Sequence, residues 1–254
     1  MLTFAVFVFG ALVGSFLNVC IHRLPSGESV AFPASHCPQC HAPIKPYDNI
    51  PIISWLVLRG RCRSCAAPIS RRYPVVEMLG GLAAVAALRG FGLNAEALLV
   101  FAFLDALIVI TFIDLDHQII PDAISLPGIF VGFAAALLFG TPTWLESLGG
   151  ILLGGGLLWA IAEGYARLTD REGMGGGDIK LLAMIGAFLG WRAIPVTVLI
   201  ASLLGSVIGI GLMLARGRDA KMAIPFGPFL AVGAICALFW GDALIKWYMD
   251  VSGL

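Results

Sequence analysis

The sequence predicts an all-α polytopic membrane protein with about eight transmembrane helices and one polar loop domain. Three observations carry this expectation: a surplus of apolar residues, their arrangement in long runs, and the confinement of charge to a few segments. Of the 254 residues, 59% are hydrophobic and only 13% charged, with a mean hydropathy of +0.93. Soluble domains hold about a quarter charged and about half apolar residues. A soluble chain of this length has too little interior to hide the surplus, whereas a lipid solvent removes the problem. The formal net charge is zero and the isoelectric point about 6.9, so global charge gives no reason to expect a nucleic-acid partner.

A spanning helix takes roughly 20 mostly apolar residues. Apolar runs between charged or Pro/Gly breaks fall at 2–21, 75–92, 95–113, 123–140, 144–166, 179–191, 193–215 and 223–248. The first run is no signal peptide by pattern, since no positive segment precedes it and no small-residue cleavage site follows. Gly10, Gly14, Ser15 and Asn18 lie along it at helical spacing, as in a packed membrane helix. The sixth run is short and meets the seventh near Gly190 and Trp191. A helix broken at Gly or Pro is tolerated where protein surrounds it.

Lysine and arginine set the orientation. With the N-terminus outside, the inner loops hold Arg23, Lys45, Arg59, Arg61, Arg63, Arg71, Arg72, Arg167, Arg171, Lys180, Arg216, Arg218 and Lys221. Of the 16 basic residues only Arg89, Arg192 and Lys246 then fall outside. This divides the chain into a first transmembrane helix at 1–21, a cytoplasmic loop at 22–74 and a transmembrane helical core at 75–254.

The loop carries Cys37-Pro38-Gln39-Cys40 and Cys62-Arg63-Ser64-Cys65, with residues 41–61 between them. Two C-x-x-C turns read as one tetrahedral four-cysteine zinc site, making this a cytoplasmic zinc-binding loop domain. Paired disulfides are the alternative, and a reducing cytoplasm disfavours them. A closed four-thiolate site has no open position for substrate, so its expected role is structural. A loop with few apolar side chains needs such a staple. His36 and His41 read as solvated neighbours, Cys20 and Cys236 as packing residues.

Two acidic clusters need a reason. Thr111-Phe112-Ile113-Asp114-Leu115-Asp116-His117 closes the third span and runs on to Pro121-Asp122. Glu172-Gly173-Met174-Gly175-Gly176-Gly177-Asp178-Ile179-Lys180 opens the sixth. Under the charge-derived topology both lie at the inner membrane face, so they can meet although distant in sequence. An acid retained at a membrane is a functional hypothesis by default. Two close carboxylates tend to share one proton, and such a pair can hydrolyse a peptide: one takes a proton from water, the other polarises the carbonyl. Gly175 and Gly177 offer side-chain-free backbone that an extended peptide can approach. The structural alternative is that Asp178 merely caps a helix and Asp114, Asp116 and Asp122 solvate a short turn.

These residues resemble the type IV prepilin peptidase family over nearly the whole chain. The resemblance rests on Gly14-Ser15-Phe16-Leu17-Asn18, Arg23-Leu24-Pro25, both cysteine pairs, and Asn49-Ile50-Pro51-Ile52-Ile53-Ser54-Trp55-Leu56. It continues through Arg72-Tyr73-Pro74-Val75-Val76-Glu77, the two acidic clusters, and Ile224-Pro225-Phe226-Gly227-Pro228. The resemblance implies a bifunctional G-x-G-D aspartic membrane protease with Asp114 and Asp178 catalytic and Asp116 and Lys180 tuning the pair. It implies prepilin or type II secretion pseudopilin substrates with basic leaders, cut at the cytoplasmic face of a bacterial inner membrane. The new N-terminal residue is then methylated with S-adenosylmethionine. Asn18 and Glu77 are the candidates for holding that donor, with a buried ion pair to Arg71 or Arg72 as the structural alternative for Glu77. Membrane lipid is the expected surrounding and the oligomeric state is open. Two other functions stay in view: a G-x-G-D protease with a different substrate, and a transporter or proton channel using the aspartates as a relay. A transporter favours an internal repeat and mid-bilayer acids, whereas these acids sit at one edge.

Overall fold

The computed structural model describes residues 1–169, 175–216 and 224–253. Glu172, Gly173 and Met174 of the glycine-rich motif, with Arg171, Arg218 and Lys221, lie outside the described residues. The described chain is helical: α1 Leu2–Arg23, α2 Ile53–Val57, α3 Arg72–Phe91, α4 Ala95–His117, α5 Asp122–Phe139, α6 Trp144–Thr169, α7 Gly176–Leu189, α8 Ala193–Arg216 and α9 Gly227–Ser252. Among the described residues, 7 helices are long and apolar enough to cross a membrane. The exceptions are the short α2 and the 14-residue α7.

The chain divides into two compact units, Met1–Val109 and Ile110–Leu254, with α4 running through the division. In the first, α1 packs against α3 along glycines. A Cβ on Gly10 would strike the Gly80 carbonyl, so only small residues allow this approach. Lipid supplies no hydrophobic drive between apolar helices, so close van der Waals packing through such residues holds them together.

In the second unit, α7 lies at the centre, against α5, α6, α8 and α9. Leu181, Leu182, Met184 and Ile185 are fully buried. This explains its length: a helix wrapped by protein does not have to match the bilayer thickness, and its ends can be satisfied by neighbours. Its C-terminal carbonyl at Ala187 accepts the Ser147 hydroxyl at 2.8 Å, and Gly190, at φ 78°, turns the chain into α8. The predicted break near Gly190 is therefore a left-handed glycine closing a short helix.

Candidate active site

Asp114 lies in the last turns of α4 and is 5% exposed, inside a helix that continues to His117. Gln118 then takes a left-handed conformation, φ 55°, its N–H donating to the Asp114 carbonyl at 2.9 Å. This turn swings Ile119 and Ile120 across the start of α7. Gly175 caps α7 in extended conformation and Asp178 falls in its first turn, where the helix dipole favours negative charge. A side chain at Gly177 would meet Ile120 Cβ at 2.9 Å, so the glycine lets the α4–α5 turn close over α7.

Asp114 and Asp178 line one cavity of about 360 Å³, with Gln118, Asp122, Gly175, Gly177 and Lys180 around them. The structure thus brings together the sequence-derived residues Asp114, Asp178, Gly175, Gly177 and Lys180. Lys180 does not reach the aspartate pair: its ammonium donates to both Asp122 oxygens, at 2.7 and 2.9 Å, tying the start of α7 to the start of α5. Asp116 is exposed and does not line the cavity.

One partner was not foreseen. The Gly227 N–H, at the first turn of α9, donates to Asp114 Oδ2 at 2.9 Å. A Cβ at Gly227 would lie 2.7 Å from that oxygen. The glycine of Pro225-Phe226-Gly227-Pro228 is therefore a donor to the buried carboxylate, and the signal in sequence was a glycine between prolines.

The first unit holds the other groups. Cys37, Cys40, Cys62 and Cys65 place their sulfurs within 4.8 Å of one another, and could hold a metal ion. The Cys37 and Cys65 sulfurs are 3.8 Å apart, and a tetrahedron with zinc–sulfur bonds of about 2.3 Å has edges of about 3.8 Å. The donor set fits such an ion. Cys37 is pushed down to about 6, first by the Cys40 backbone N–H and then by that of Gln39. Cys65 is pushed up to about 12; the Ala67 N–H acts to lower it, but the neighbouring thiols and burial outweigh that donor.

The two turns are built alike. His41 and Ala66 are both left-handed, at φ 57° and 58°. The Cys37 N–H donates to Ala42 as the Cys62 N–H does to Ala67. This exposes a short repeat missed in the sequence, C-x-x-C-x-A-P-I at Cys37–Ile44 and again at Cys62–Ile69. Asp48 accepts from Nε and Nη2 of the Arg63 guanidinium, closest at 2.6 Å, and that donor holds its carboxyl below the usual range.

Asn18 and Glu77 are engaged by protein. The Asn18 amide donates to the Gly14 and Tyr73 carbonyls at 3.3 and 3.2 Å. The Glu77 carboxylate accepts the Ile52 N–H at 2.6 Å. Ile52 is itself left-handed, φ 64°, so Glu77 holds a strained turn of the loop. Both side chains thus join elements of the first unit, Asn18 linking α1 to the start of α3 and Glu77 linking α3 to the loop.

Comparison with known proteins agrees with this architecture. Residues 8–91 match the bacterial peptidase A24 N-terminal domain, and residues 98–210 match the type IV leader peptidase family. A prepilin leader peptidase/N-methyltransferase of Aeromonas hydrophila is 43% identical, covering 96% of this chain and 92% of the relative. The protein of that name from Pseudomonas aeruginosa is 37% identical over the same shares, 96% and 92%. No solved structure matches the chain. The chain, a multi-pass membrane protein, belongs to the type IV leader peptidase family.

Proposed function

We propose that this protein cleaves the leader from type IV prepilins or type II secretion pseudopilins, at the cytoplasmic face of a bacterial inner membrane. The supporting observation is that Asp114 and Asp178, from helices far apart in sequence, line one cavity together with Gly175, Gly176 and Gly177. The N-terminus is outside in this reading, as the distribution of lysine and arginine favours.

Asp114, beside the Gly227 N–H and the positive end of α9, carries the negative charge. It takes a proton from a water molecule, whose oxygen attacks the scissile carbonyl. Asp178, protonated, donates to the carbonyl oxygen as the tetrahedral species forms. Collapse then breaks the C–N bond and a proton passes to the leaving amine. Gly175 and Gly176, with room where a side chain would stand, leave the approach free for an extended peptide, while Gly177 admits Ile120, and Lys180 fixes the start of α7 through Asp122.

The relatives' name extends the proposal to N-methylation of the new terminus, with S-adenosylmethionine as donor. Asn18 and Glu77 are the residues assigned to hold that donor, which would supply the methyl group when bound. The cysteine cluster holds zinc in a structural role, since four thiolates leave it no open position.

The test is direct. Full-length protein in lipid nanodiscs is mixed with a prepilin and the products are weighed. A single cut after the leader is expected, followed by gain of one methyl group once S-adenosylmethionine is added. An intact prepilin under these conditions would contradict the reading. Lys180→Met is expected to cost at most about 1 kcal/mol of stability, because the bridge is partly exposed. Its cleavage rate is expected to fall several-fold, measured by the same assay.

A further inference from the structure

Among the described residues, nothing covers the apolar face of the short helix α2. Ile53, Leu56 and Val57 lie at i, i+3 and i+4, on one side, and are 58%, 61% and 70% exposed. They cannot turn inward, because the other side is fastened. The Ser54 hydroxyl donates to the Tyr47 carbonyl at 2.9 Å and accepts the Ile50 N–H at 3.0 Å. The Trp55 indole donates to the Ile69 carbonyl at 3.1 Å, and its ring lies under Gly60.

The depth of α2 follows from Glu77. The residue preceding α2, Ile52, is hydrogen-bonded to Glu77, well inside the membrane helix α3 that begins at Arg72. At 1.5 Å per residue, Glu77 lies roughly 7 Å along α3. That distance is on the order of one headgroup layer. Val75 and Met78 of α3, at the same level, are 47% and 46% exposed, as lipid-facing residues are. Directly after α2 come Arg59 and Arg61, both exposed.

We propose that α2 is an interfacial anchor, with Ile53, Leu56 and Val57 seated in the headgroup layer of an anionic phospholipid leaflet and Arg59 and Arg61 on its phosphates. Apolar residues flanked by cations make the surface such leaflets retain. The anchor holds the loop domain against the bilayer and limits its motion about α1 and α3. It rests on the membrane reading of the chain and not on the aspartate chemistry.

The experiment places a photoreactive benzoylphenylalanine at Val57 of the full-length protein, in nanodiscs of phosphatidylglycerol or of phosphatidylcholine. An equivalent probe at the exposed Ala34, outside both cysteine turns, serves as control. Exposed sites are used so that folding is preserved, and zinc content checks this. Lipid adducts from position 57 are expected at least about fivefold above position 34 in phosphatidylglycerol. The paired substitution Arg59→Glu and Arg61→Glu is expected to bring this yield down to that seen in phosphatidylcholine. Equal adduct yields from positions 57 and 34 would overturn the proposal. So would cross-linking of position 57 to added prepilin in place of lipid, which would make the face a substrate dock.

Discussion

Replacing Asp178 by Asn is expected to lower kcat/KM for prepilin cleavage by at least about 1,000-fold, and Asp114→Asn by a similar factor. General acid–base catalysis by one positioned group contributes about 10²–10⁴-fold, and each carboxyl in this pair has a task the amide cannot perform. Asparagine cannot take a proton from water, nor donate an acidic proton to a developing oxyanion. The exchange is nearly isosteric, so the fold survives. At position 114 the amide oxygen still accepts the Gly227 N–H, and at position 178 the amide still sits in the first turn of α7. Unchanged thermal unfolding in detergent alongside lost cleavage is the expected pattern. Full cleavage by both variants would leave the cavity without its chemistry.

The second large effect concerns the cysteines. Cys62→Ser is expected to lower bound zinc from about one ion per chain to below about a tenth, measured by metal analysis. The free energy of structural zinc binding in small peptides is about 10–16 kcal/mol, so the ion decides whether such a loop folds. Few side chains of this loop are buried: Cys37 and Ser54 are exceptions, at 8% exposure each. The Arg63–Asp48 bridge is too exposed to replace the metal. The loop of the variant is expected to become protease-sensitive while the membrane helices stay intact. Chelation of the native protein is expected to do the same. Unchanged metal content and protease resistance in Cys62→Ser would contradict a structural zinc site.

The long helices could be read from the sequence because lipid demands long apolar runs, but the runs left the division between α7 and α8 open, and Gly190 settles it only in the structure. The cysteine site was readable because its ligands are local pairs. What the sequence hid were contacts between distant residues. Gly227 donates to Asp114 from the far end of the chain, and a backbone N–H leaves no mark in composition. Lys180 was expected to tune the aspartate pair, but the turn at Gln118 brings Asp122 within its reach. Glu77 holds the Ile52 N–H, a contact made by a left-handed isoleucine that no propensity scale suggests. The repeat of the two cysteine turns was visible in the letters, but too short to register as a period.

The central claim is that Asp114 and Asp178 work as one pair with one proton between them. The pH dependence of kcat/KM for prepilin cleavage, from about pH 4 to pH 10 in nanodiscs, tests it most directly. At low pH the ionised partner gains a proton and the base is lost. At high pH the shared proton leaves and the acid is lost. A bell is therefore expected, with two limbs that belong to the pair and not to either residue alone. A rate that climbs through a single limb and stays level to pH 10 would show one carboxylate acting by itself, and would contradict the shared proton.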